Sequence, residues 1–310
     1  MRKWIFALVL VLISSLLAVA FFLPKELVIK KRFIVAANQN SVYRSLTDDN
    51  LIEKWFPGKK ENGTSNTCFN GKCKYQFRKM VEVVKVDIRC ENDELESYAM
   101  IFPVKTDSTA IEWIMSSKKA ASIFQRISNY FSIRKADNEV GNLIKHFSHF
   151  VSNEDSVYGF KVIPTIVKDT LLITTEKEMD HFPSTNEYYS MIDGLHSYLT
   201  SSNVLETNYP MLNITPLPGN HFRTRVAIPI NKTVSGNETI SLKRMVPGKI
   251  LTVEIRGGIK KVNDALTRMD EYIIDHRYDS PAIPFQSLIT DRQQQKDTNS
   301  WITKIYYPVL

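Results

Sequence analysis

Glycine is scarce, 11 in 310 residues, and none of them builds a G-x-G-x-x-G, Walker or G-x-S-x-G arrangement. No H-E-x-x-H occurs either, so phosphate-cradling loops, nucleophile elbows and zincin helices are excluded. Cysteine is rarer still, at three: no second ligand pair lies near Cys68 and Cys73, and Cys90 stands alone. His146 and His149 share a helical spacing but have no acid or cysteine to complete a site, so neither a metal nor a cofactor is expected. Long basic runs are also missing. The formal charge is +7, yet the lysines and arginines are scattered among acids, and no nucleic-acid partner is expected. What is present is a chain with 43% apolar residues and room for two globular domains.

One long uncharged run does occur, from Trp4 to Leu23, after Arg2 and Lys3. As a helix, 20 residues span about 30 Å, the thickness of a bilayer core, so residues 1–24 read as a single-pass transmembrane anchor. A secretory signal peptide cleaved after Ala18-Val19-Ala20 is the alternative. Lys30, Lys31 and Arg32 then fit lipid head groups, which makes membrane lipid a partner through the N-terminal helix. Flanking charges do not decide orientation. Cys68 and Cys73 bracket Phe69-Asn70-Gly71-Lys72; with Asn70 and Gly71 in a two-residue turn, the cysteines fall opposite each other and can form a disulfide. Such a bond implies an oxidising, extracytoplasmic (periplasmic) setting for the globular part; the alternative is two unpaired buried thiols.

Residues 25–155 read as a strand (Leu27 to Ala36), two short helices (Asn40 to Leu46 and Asn50 to Trp55) and strands at Cys68–Phe77, Val81–Arg89, Glu94–Pro103 and Thr109–Met115. A long helical pattern closes the block, with Ile123, Ile127 and Phe131, then Val140, Leu143, Phe147 and Phe150. Lys31-Arg32-Phe33-Ile34-Val35-Ala36-Ala37, Leu51 to Gly58, Trp113 and the closing helix together resemble the START-like (SRPBCC) superfamily of polyketide-cyclase type. The resemblance implies a helix-grip fold with an apolar cavity between sheet and helix, and makes Trp113 a candidate ligand contact. Alternatively Trp55, Phe77, Phe102, Trp113 and Phe131 fill that space as core.

Residues 156–310 read as a duplication, with repeats at about 159–230 and 240–310. Asp169 to Thr174 matches Gly248 to Val253, Asn186-Glu187 matches Asn263-Asp264, and Thr224 to Ile230 matches Thr303 to Val309. Each copy reads strand, helix, strand, strand, so the fold class is α+β with a duplicated βαββ unit. Val246-Pro247-Gly248-Lys249-Ile250-Leu251-Thr252-Val253, Arg256-Gly257-Gly258, Pro281 to Phe285 and Trp301 to Val309 resemble the GyrI-like effector-binding domain of bacterial transcription activators. The resemblance implies pseudo-twofold symmetry, a ligand cleft, and ligand contacts from Lys304, Arg225, Trp301, Tyr306 and Tyr188. The family commonly has an acid where Lys304 stands, and the pseudo-equivalent residue, Arg225, is also basic. A cation there repels the cationic ligands the family favours, so neutral or anionic apolar or amphipathic ligands are expected. The implied function is a membrane-anchored sensor or carrier of small molecules. The alternative is a hydrolase or cyclase using Glu254 or Glu187 as its acid.

Overall fold

The computed structural model describes Ser14 and residues 21–60, 67–70, 73–81, 83–90 and 93–310. Most of the apolar run at 4–23 lies outside them, and no helix among the described residues is long and apolar enough to cross a membrane. The expected anchor is therefore without support. Two compact α+β units divide the chain, Met1–Val157 and Tyr158–Leu310.

In the first unit, β1 (Val28–Val35) is followed by helices α1 (Gln39–Thr47) and α2 (Asp49–Trp55). Asn38 caps α1 by accepting from Ser41 N at 2.8 Å, and Asp48 caps α2 through the amides of Asn50 and Leu51. Strands β2 (Lys59–Lys60), β3 (Thr67–Asn70), β4 (Cys73–Lys79), β5 (Val83–Cys90), β6 (Asp93–Lys105) and β7 (Ser108–Ser117) complete an antiparallel sheet ordered β1-β7-β6-β5-β4-β3-β2. Period-two alternation turns Tyr75 and Phe77, Val84, Val86 and Ile88, and Ile111, Trp113 and Met115 inward. Against that face lies α3 (Ile123–Val151), burying Ile133, Ala136, Val140, Leu143 and Phe147; the short α4 (Glu154–Tyr158) follows. Trp55 sits edge-to-face on Phe77 and Phe147 with centroids 5.7 and 5.0 Å away, so aromatic packing fills this part of the interior.

The hairpin carrying the cysteines pairs two residues out of the expected register, its turn displaced by one residue. Asn70, not Phe69, begins the turn and lies opposite Cys73, which leaves Cys68 opposite Tyr75. A two-residue shift changes every cross-strand partner while keeping each side chain on its face. Cys73 then faces Cys90 across β4 and β5, and the disulfide joins those two, with Cα atoms 4.1 Å apart. The expected Cys68–Cys73 bridge is thus replaced by Cys73–Cys90.

The second unit holds β8 (Ile163–Ile166), β9 (Leu171–Met179), α5 (Thr185–Ser201), β10 (Met211–Leu217), β11 (His221–Pro229), β12 (Ser241–Arg244), β13 (Lys249–Arg256), α6 (Ile259–His276), β14 (Phe285–Leu288) and β15 (Ile302–Val309). Its antiparallel sheet is ordered β12-β9-β11-β10-β14-β15-β13-β8. That order reads the same from either edge: first, third and second strand of one βαββ copy, then second, third and first of the other. The outermost strands are exchanged. β8, which leads into the first copy, pairs with β13 of the second; β12, which leads into the second, pairs with β9 of the first. Equivalent bonds fix both crossings, from Val167 N to Gly248 O at 3.0 Å and from Met245 N to Thr170 O at 2.8 Å.

Candidate functional site

In the second unit, helices cover one face of the sheet. Tyr188, Tyr189, Ile192, Leu195 and Leu199 of α5 pack on Ile173, Leu212, Val226 and Ile228. Alternation therefore sends Arg225 and Ala227, Asn213, Thr174 and Glu176 to the opposite face. The same rule places Lys304, Tyr306, Thr252 and Glu254 there in the second copy, since Ile305, Thr303 and Val253 are buried on the other side. At the centre of the sheet the copies join where β10 pairs with β14, through Met211↔Ser287 and Leu212↔Gln286.

Two cavities open on the helix-free face. The larger, about 900 Å³, is lined by Leu172, Met211, Ala227, Ile240, Met245, Ile283 and Phe285, with Asn213, Glu176 and Arg225 among the polar groups. The smaller, about 450 Å³, contains Lys304, Tyr306, Thr252, Glu254 and Asp169. Val167, Met211, Met245 and Phe285 line both and so form their common wall. Volumes of this size suit small organic ligands, and methionines let a wall adapt to different shapes.

The strand cations occupy equivalent positions. Arg225 lies opposite Glu176 and Lys304 opposite Glu254, and each approaches its partner, at 2.9 and 3.9 Å respectively. Arg225 also donates to Asn213 Oδ1 and Thr215 Oγ1, at 3.2 and 3.3 Å. Tyr306 stacks on Phe285 with centroids 4.9 Å apart, and burial, followed by the charge of Asp169, raises its phenol above the ordinary range. It is a neutral hydrogen-bonding group at any physiological pH.

Arg225, Lys304 and Tyr306 thus line these two cavities, while the other candidate contacts lie elsewhere among the described residues. Tyr188 and Trp301 lie buried on the helix side, where they flank Arg292. Trp113 is enclosed in the first unit, donating from Nε1 to Ser97 Oγ at 3.1 Å. Glu187 caps α5, engaged by Ser184 and His181. The sequence reading missed Asn213, Glu176, Met211, Met245 and the segment from Asn237 to Lys249. No local signal marks that segment, because the exchange of β12 is what brings it to the cavity.

No protein-family model matches the chain, and no curated protein does. Among solved structures, the chain is similar to EcmrR in its DNA complex, at 13% identity and TM-score 0.45, covering 61% of this chain and 72% of that one. It is also similar to SAV2435 bound to tetraphenylphosphonium, at 12% identity and TM-score 0.34, covering 48% and 94%. A START superfamily protein from Mycobacterium smegmatis matches at 14% identity and TM-score 0.30, covering 40% and 96%. These neighbours are consistent with the two expected kinds of fold, and each is too loose to say more. The expectation of no nucleic-acid partner is withdrawn: EcmrR was solved in complex with DNA.

Proposed function

We propose that the second unit is a small-molecule-binding module that takes apolar or amphipathic ligands, neutral or anionic, as a sensor or carrier does. The observation carrying this reading is the cavity of about 900 Å³, walled by apolar side chains from both copies, with the paired Arg225 and Glu176 among its few polar groups. Apolar walls supply affinity, and a few fixed polar groups supply orientation. Arg225, Lys304 and Tyr306 are the predicted contacts that this reading retains. For the alternative of a hydrolase, the strand carboxylates Glu176 and Glu254 are poor bases, because each faces a cation. The Cys73–Cys90 bridge supports an oxidising, extracytoplasmic setting.

Native mass spectrometry of the full chain, purified gently, tests the binding reading. The expected result is a non-covalent adduct of a few hundred daltons that is lost when Ala227→Trp fills the larger cavity. A bare mass for the unaltered chain, or an adduct indifferent to Ala227→Trp, would overturn it.

A further inference from the structure

The mouth of the larger cavity carries charge that the strand ion pairs do not neutralise. Lys243 and Arg244 on β12 and Lys249 at the start of β13 all line it, and all three are exposed. None is paired with a carboxylate among the described residues, in contrast to Arg225 and Lys304. Glu176 is held by Arg225. That leaves Glu238 as the acid at this mouth with no ion pair, against three cations.

Between and around these cations stand large apolar side chains facing solvent. Val246 is 84% exposed and Ile283 51%, and both line the same mouth. Below them the wall continues through Met245, Leu172, Met211 and Phe285 into the cavity. Exposed apolar surface of this kind marks a binding site when it is contiguous with a pocket. Here it is interleaved with unpaired positive charge, and the combination matches one class of molecule: a hydrocarbon body ending in an anion.

We propose that the larger cavity holds an anionic amphiphile, its carboxylate, sulfate or phosphate head at Lys243, Arg244 and Lys249 and its apolar body along Val246, Ile283 and Met245. This rests on the cavity being a ligand site at all. Strand exchange is what supplies the selectivity, because it carries the β12 cations of one copy to the edge of the other. Arg225, already satisfied by Glu176, Asn213 and Thr215, orients polar atoms deeper in the cavity and does not set the sign of the charge.

Isothermal titration of the full chain with decanoate, decanol and decyltrimethylammonium, three probes with one tail and different heads, separates the two levels of this reading. Decanoate is expected to bind at least about tenfold more tightly than decyltrimethylammonium. Replacing all three cations (Lys243→Gln, Arg244→Gln, Lys249→Gln) is expected to weaken decanoate about tenfold and leave decanol unchanged. In the unaltered chain, added salt is expected to weaken decanoate and not decanol, which tests the idea without any variant. Decanol binding with no preference between the charged heads, or decanoate binding indifferent to both salt and the triple replacement, overturns the head-group assignment and leaves the cavity reading intact. If no probe binds, the cavity reading falls and takes this inference with it. A short DNA duplex whose binding is abolished by the triple replacement, with decanoate unaffected, would assign the cations to a phosphate backbone and also overturn the proposal.

Discussion

A buried guanidinium that forms no ion pair among the described residues has to be held by neutral groups, and Arg292 shows how. It is 5% exposed, donates from Nη1 to Tyr188 OH at 3.0 Å and from Nη2 to Thr303 Oγ1 at 2.8 Å, and lies 4.9 Å from the Trp301 ring centre. Its backbone N donates to Tyr189 OH at 2.7 Å. α5 belongs to the first copy and β15 to the second, so one side chain ties the copies together on the helix side. Arg292→Ala would open a void and strip two hydroxyls of a partner, at a cost of about 3 kcal/mol. Arg292→Lys should recover little, since an ammonium cannot reach both hydroxyls while stacking on a ring. Urea unfolding midpoints check both; an Arg292→Lys protein as stable as the parent would refute the bridging role. Tyr188 and Trp301 are recognisable in the sequence as aromatic and therefore as candidates, but their neighbour is not. Nothing near Arg292 in the chain announces that it will be buried between them.

At the scale of the element, the start of α5 is a small titrating assembly. Ser184 and Glu187 form a capping box, and His181 reaches Asp180 at 2.7 Å and Glu187 at 2.9 Å. Hydrogen bonds from the Ser184 backbone, then its hydroxyl, then His181 hold Glu187 down to about 2. Hydrogen bonds to Asp180 and then Glu187 raise His181 above its ordinary value. The signs are opposite. The raised histidine contributes stability that is complete below 6.5 and lost as pH climbs through its folded-state value. The lowered glutamate contributes above 4.5 and is lost as pH falls towards 2. NMR titration should place the His181 midpoint above 6.5 and, in Ser184→Ala, return Glu187 towards 4.5; an unmoved Glu187 would show that the cap is not what holds it. Elements of this kind were legible in the sequence: alternation gave the strands, and matched segments gave the duplication. Registers and long-range pairings were not. The Asn70-Gly71 signal placed the hairpin one residue from where inward-facing Cys73, Tyr75 and Phe77 put it, and no local pattern could report that β8 and β12 change places. The interior of the first unit was undecided for the same reason: five aromatics could be counted, but only packing shows that Trp55, Phe77 and Trp113 fill it while Phe102 and Phe131 stand exposed.

For the whole molecule, the division into two units predicts how it comes apart. All three cysteines lie in the first unit, and the Cys73–Cys90 bridge closes a loop with a sequence separation of 17. A loop of about that length stabilises by roughly 3 kcal/mol in the chain-entropy account. Calorimetry should show two transitions, of which dithiothreitol lowers one by on the order of 10 °C and leaves the other in place. Movement of both would mean that the units do not unfold independently.

The crossing of β8 and β12 has a bearing on ancestry. A gene encoding one repeat alone would produce a chain with an orphan strand at its front and an uncovered edge on the first strand of its βαββ unit. Two such chains would each cure the other's defect by domain swapping, so the natural state of the lone repeat is a homodimer. The tandem chain makes that partnership covalent, which frees its two halves to diverge into chambers of unequal size.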